Sequence, residues 1–393
     1  MSGLWNVRRI AAVATAAALV LAGTAGAAIT HPDDDPFYAA PKSLKKAKRG
    51  AILRSRPVTI SARGLALPND AWQLLYRTSD AKNRPEAAVT TLILPTVPVG
   101  PMPLVSYQTA EDSLGTQCAP SYTLRTGTER EMPAIQQPLV RGWAVVAPDY
   151  EGPESQYGAG RQAGHAVLDS IRAAKRFRAG GLTRKTRVGV WGYSGGGLAS
   201  AWAAELQPRY APRMRIAGVA AGGVPPDIEA VARKIDGGPF AGILFAAAQG
   251  LERAYPEMRV REILNAEGKA LYDEIADKCV EDITNAGMFK RMADLSKVPD
   301  PLVLPRIQKV LWKNHLGKRT PAAPLYIYHA ILDELIPIAT VDELVAGYCA
   351  DGATVKYHRD PASEHVALVA TGALAALDYL GARFAGTPAP STC

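Results

Sequence analysis

Apolar positions recur with period two in PVTISAR (57–63) and AWQLLYRTSD (71–80), and each stretch predicts a strand. AAVTTLILP (87–95) and PLVSYQ (103–108) follow as short apolar runs bounded by turn residues. A loop rich in glycine, cysteine and proline is expected over 109–127, then a helical stretch around 129–140 and a short buried strand over Ala144–Ala147. The period then changes. In HAVLDSIRAAKRFRA (165–179), Val167, Leu168, Ile171, Ala174 and Phe177 recur at three- and four-residue spacing, which predicts an amphipathic helix. TRVGVWG reads as a strand, GGGLASAWAAELQ as a helix and MRIAGVAAGG as a further strand.

Strands alternating with helices imply an α/β fold, a mostly parallel sheet with helices on both faces. The two opening strands suit an antiparallel edge. Such sheets carry their sites at the carboxyl ends of the strands. From Pro225 to about Thr320 the rhythm is almost wholly helical, after which APLYIYHA (323–330) resumes as a strand. This predicts a helical cap, 227–320, inserted between two parts of one core, 57–226 and 321–393. ATVKYHR (353–359) is the expected last strand, and EHVALVATGALAALDYLGARF the expected long closing helix.

The first 28 residues are expected to stand apart from the fold. Arg8 and Arg9 precede an Ala-rich apolar stretch, and Ala25-Gly26-Ala27 offers a small-residue cleavage site, the pattern of a secretory signal peptide. The alternatives are an uncleaved anchor and twin-arginine export. Net charge is +8, and loss of Arg8 and Arg9 leaves +6. Much of the excess lies in PKSLKKAKRGAILRSR (41–56), within a polar segment, 29–56, expected as a flexible basic arm. Nothing resembling a nucleic-acid motif accompanies it. The four cysteines, Cys118, Cys279, Cys349 and Cys393, form no CxxC pair, so they give no local support to a metal or redox site. In an exported chain they predict two disulfides, with three possible connectivities.

The candidate chemistry lies in VWGYSGGGLASAW. Gly192-Tyr193-Ser194-Gly195-Gly196 fits G-x-S-x-G, with an apolar strand before it and a helix after it, as a nucleophile elbow requires. A serine nucleophile needs a base, and the base an orienting acid, in the chain order Ser, Asp or Glu, His. His31 and His165 precede Ser194, His315 lies in the helical insertion, and His329 and His358 lie within strands. His365 follows the last strand at the start of the closing helix and is the expected base. The acid should end the strand before it. Asp333 does so, and Glu334 is its neighbour. The oxyanion hole should combine the Gly195 N–H with a donor from Thr109–Ser113.

Several segments together resemble the secretory lipase family, of the yeast lipase A type: SYQTAEDSLGTQCAPSY, VVAPDYEGPESQY, VWGYSGGGLASAWAA, GVAAGGVPPDI, and DELIPIATVDELV with the later SEH. The resemblance covers roughly 57–380. It implies an α/β-hydrolase fold, hydrolysis of triacylglycerols and other carboxyl esters, no cofactor or metal, and a helical cap over the acyl pocket. Residue by residue it implies Ser194, Asp333 and His365 as a triad and Asp112 with Gly195 for the oxyanion hole. It also implies a Cys118–Cys279 disulfide, which leaves Cys349 with Cys393. The expected partners are lipid or ester substrates, with transient contact at a lipid surface, in a secreted protein. A short-chain esterase, an acyltransferase, a peptidase and an inactive binding protein on the same fold are the rival readings.

Overall fold

The structure, a computed structural model, describes residues 29–393. The expected signal peptide, 1–28, lies outside the described residues.

The strands are β1 (Ile52–Val58), β2 (Ser61–Ala62), β3 (Leu65–Ala66), β4 (Ala71–Ser79), β5 (Pro85–Ile93), β6 (Leu104–Gln108), β7 (Ala144–Pro148), β8 (Val188–Tyr193), β9 (Ile216–Gly222), β10 (Leu325–Ala330) and β11 (Val355–Asp360). β2 and β3 form a separate small hairpin, and the other nine make one sheet in the order β1-β4-β5-β7-β6-β8-β9-β10-β11. The pairs from β1 to β7 are antiparallel, and those from β7 through β6 to β11 are parallel.

The alternation of side chains assigns each strand residue to one layer. Leu104 of β6 and Val188 and Val190 of β8 face a core shared with helices Gly160–Arg176 and Gly195–Tyr210. Val105, Tyr107, Trp191 and Tyr193 face the opposite core, with helices Met132–Val140 and Ala373–Ala385. Burial on both faces explains why these central strands read as continuous apolar runs. Helix Gly160–Arg176 starts five residues before the amphipathic stretch that predicted it.

Three expectations are corrected. The first strand is Ile52–Val58 rather than 57–63. Its polar residues, Arg54 and Arg56, lie on an edge strand, where one side needs no apolar partner. Residues 29–56 are not a free arm. Phe37, Tyr38, Leu44 and Leu53 pack on Leu75, Ala87 and Val89, and Arg56 reaches Asp35 at 2.7 Å. A few apolar side chains within a charged segment are enough to dock it. The closing helix is two helices, His365–Thr371 and Ala373–Ala385, bent by 46° at Gly372. A Cβ at Gly372 would stand 2.6 Å from the Tyr328 ring, so the break lets the backbone lie against that ring.

Between β9 and β10 the chain forms seven α-helices, from Ile228–Ile235 to Pro305–Lys313. Disulfide Cys118–Cys279 ties this region to the core, and Cys349–Cys393 holds the C-terminal residue near β11. Arg253, in the inserted helices, donates to the carbonyls of Leu114 at 2.8 Å and Glu154 at 2.9 Å. Lys234 donates to the Asp333 carbonyl at 2.6 Å.

Candidate active site

Ser194 sits between β8 and the helix Gly195–Tyr210, with φ +54° and ψ −119°. That conformation is costly for a residue with a side chain and persists only where its surroundings hold it. Here the Ser194 N–H donates to the Gly222 carbonyl at 2.9 Å, and its carbonyl accepts from Leu198 at 2.8 Å. The glycines permit the approach. A Cβ at Gly196 would lie 1.9 Å from the Gln108 carbonyl oxygen, and one at Gly192 would lie 2.3 Å from that of Gly196.

His365 Nε2 lies 2.9 Å from Ser194 Oγ, and His365 Nδ1 lies 2.6 Å from Asp333 Oδ2. The other Asp333 oxygen accepts from the main-chain N–H of Leu335 at 2.9 Å and of Ile336 at 2.6 Å. Burial pushes the Asp333 carboxyl up. The His365 contact, the nearby His329 and the Ile336 N–H outweigh it and leave the group below its ordinary range. It is therefore ionised across neutral pH.

The imidazole is held through its own backbone. The His365 N–H donates to Glu334 Oε2 at 2.7 Å, and the Tyr193 hydroxyl donates to its carbonyl at 2.7 Å. Glu334, the neighbouring carboxylate that the strand-end position disfavoured, thus contacts the main chain of His365 and not the ring. Glu364 caps the helix that starts at His365, accepting from the N–H of Val366 at 2.7 Å and of Ala367 at 2.8 Å. Sequence reasoning missed the parts played by Tyr193, Glu334 and Glu364. Glutamate is not among the residues that ordinarily mark a helix start, so nothing local flagged the cap at Glu364.

His165, by contrast, stacks on Tyr210, and burial pushes it down to about 4. His358 is exposed beside Asp360.

Asp112 has φ +46° and is buried beside the elbow. A Cβ at Gly195 would stand 1.9 Å from its Oδ1, an oxygen with no hydrogen-bond partner. Burial pushes the Asp112 carboxyl up to about 6, against the pull of Arg130 and His365. Burial also raises Glu151 well above the carboxylate range, helped by the Asp112 charge and opposed by the N–H groups of Ser113 and Asp112.

Ser194, Gly195, Asp112 and His365 open onto one cavity of about 640 Å³. The run GILFAAAQGL divides between two environments. Ile243, Leu244, Ala247, Ala248 and Leu251 line the cavity, whereas Ala246 packs with Leu114 and Ile283.

A family model described as secretory lipase matches residues 117–392. The chain belongs to the secretory lipase family. Relatives within it include Lipase 4 of Candida albicans, 36% identical over 386 residues, covering 93% of this chain and 84% of that protein. A probable inactive lipase of Mycobacterium tuberculosis is 40% identical over 371 residues, covering 91% and 83%. The solved structure of Candida antarctica lipase A in its closed state matches with a TM-score of 0.86 at 31% identity, covering 92% of this chain and 88% of that one. This secretory lipase therefore has the α/β-hydrolase fold, and its coarse chemistry is that of a lipase or esterase acting on lipid or ester substrates.

Proposed function

We propose that the protein is a secreted serine lipase or carboxylesterase that cleaves triacylglycerols and other carboxyl esters through an acyl-enzyme. The supporting observation is the continuous contact Ser194–His365–Asp333, at 2.9 and 2.6 Å, facing an apolar cavity.

In this reading His365 Nε2 takes the Ser194 proton as Oγ attacks the ester carbonyl. The ionised Asp333 holds the Nδ1–H tautomer and stabilises the imidazolium. The negative charge that develops on the carbonyl oxygen is met by the N–H of Gly195, one of the unpaired donors at a helix N-terminus, and by that of Asp112. His365 then protonates the departing alcohol. Water, activated by the same imidazole, releases the acid and restores Ser194. The cap residues along the cavity would hold the acyl chain. The two disulfides fit an oxidising, extracellular setting.

A second reading follows from the Mycobacterium tuberculosis relative named as inactive: a hydrolase-like protein that binds lipid without turnover. One experiment separates the two. Purified protein and Ser194→Ala are compared for hydrolysis of p-nitrophenyl esters from two to sixteen carbons and for labelling by a fluorophosphonate. Hydrolysis and labelling that vanish together in Ser194→Ala are expected, with rates highest on medium or long acyl chains. Activity confined to acetate and butyrate would make it a short-chain esterase. No labelling and no hydrolysis in the native protein would favour the binding reading.

A further inference from the structure

His329, the penultimate residue of β10, stands four residues before Asp333 and is fully buried. Its Nε2 lies 3.3 Å from Asp333 Oδ2, the oxygen that His365 Nδ1 also contacts, and 3.4 Å from the Ile336 carbonyl oxygen. Both neighbours are acceptors, so Nε2 carries the hydrogen. Its Nδ1 is buried and has no hydrogen-bond partner. A second proton there would be a buried donor without an acceptor, which is costly to leave unmade. The ring is therefore the neutral Nε2–H tautomer.

A carboxylate offers about four acceptor positions. At Asp333 the N–H groups of Leu335 and Ile336 and the His365 Nδ1 occupy three. The fourth, on Oδ2, takes no hydrogen bond: His329 Nε2 lies 3.3 Å from that oxygen and directs its own hydrogen bond to the Ile336 carbonyl at 3.4 Å.

We infer that His329 is a positioning residue for the Ser194–His365–Asp333 site, a neutral dipole that fixes the direction of the Asp333 carboxylate and keeps water from its second oxygen. The inference rests on the function proposed above. The charged and titratable groups around His329 are consistent with a neutral ring. Burial pushes its pKa down, Asp333 pulls it up, His365 opposes protonation and Asp342 favours it, with the net shift downward. Lys234, from the cap, engages the Asp333 carbonyl and not its carboxylate.

His329→Leu removes the dipole and keeps comparable apolar bulk. His329→Gln keeps an N–H donor near the Nε2 position. We expect His329→Leu to lower kcat about fivefold with KM within twofold, because the lost contact is a dipole beside a charge and weaker than a full hydrogen bond to a charged group. The low-field proton resonance of the His365 Nδ1–H should move or broaden in the same variant. His329→Gln should recover most of kcat and the native resonance. Should the leucine variant not fold, His329→Asn replaces it, because its shorter amide cannot reach the Nε2 position, and the same loss is expected. Native kcat and an unchanged resonance in His329→Leu would overturn the inference. So would equal losses in the Leu and Gln variants with an unchanged resonance, which would mean that only ring shape matters. Ser194→Ala serves as the separate control. Hydrolysis that survives in Ser194→Ala defeats the serine reading itself, whatever the His329 variants do.

Discussion

Replacing Asp112 by asparagine should stabilise this protein at alkaline pH and have much less effect near pH 4. Its carboxyl moves from an ordinary 3.8 to about 6 in the fold because burial disfavours the charge. The folded state holds the proton more tightly than the unfolded chain does. Between those two values the native state binds more protons, so stability falls as pH rises, and the penalty is complete above about pH 6. A shift of about two units at 1.36 kcal/mol each amounts to about 3 kcal/mol at pH 8. At pH 4.5 the unfolded chain has ionised only in part, and about 1 kcal/mol of the penalty is present. The stability difference between Asp112→Asn and the native protein should therefore grow by about 2 kcal/mol from pH 4.5 to pH 8. Urea unfolding followed by tryptophan fluorescence, with both disulfides intact, measures it at each pH. The asparagine amide carries its own burial cost, but that offset does not vary with pH. A difference that stays flat from pH 4.5 to pH 8 would refute the reasoning, because it would mean that Asp112 titrates alike in both states.

Two further outcomes follow from the geometry of the elbow and the cap. Gly196→Ala should abolish folding or activity outright, because its Cβ would meet the Gln108 carbonyl, whereas Gly195→Ala strikes only the end of the Asp112 side chain and should fold with reduced kcat. Thermal melts beside ester hydrolysis distinguish these, and equal stabilities would count against the close-packing account. Ala248→Trp fills part of the cavity that Ala248 lines and should lower the rate on sixteen-carbon esters at least about tenfold relative to butyrate. An unchanged ratio of the two rates would mean that the acyl chain lies elsewhere.

The parts of the site that were legible in the sequence were those with a local cause. The glycines around Ser194 mark a backbone turn where β8 and the next helix nearly touch, and that requirement is written within five residues. Asp333 and His365 could be named because strand ends and chain order restrict where an acid and a base can stand. The strand-end position favoured Asp333 over its neighbour Glu334, but it could not show what Glu334 does instead. Both are carboxylates on one turn, and only the folded loop directs one to the imidazole and the other to a main-chain N–H. His329 was read as a strand histidine, and it is one; its closeness to Asp333 depends on how the turn after β10 folds back.

The sequence by itself determined the order of strands and helices, the elbow, the inserted helical region and the presence of oxidisable cysteine pairs. These follow from hydrophobic period, glycine placement and composition, which act over a few neighbouring residues. Tertiary structure alone decided the docking of residues 29–56 against β4 and β5, the break at Gly372, and the cavity that joins cap to elbow. It also decided which polar groups surround His365 and Asp333. Each of these depends on surfaces brought together from distant parts of the chain, where packing and burial, and not local preference, set the outcome.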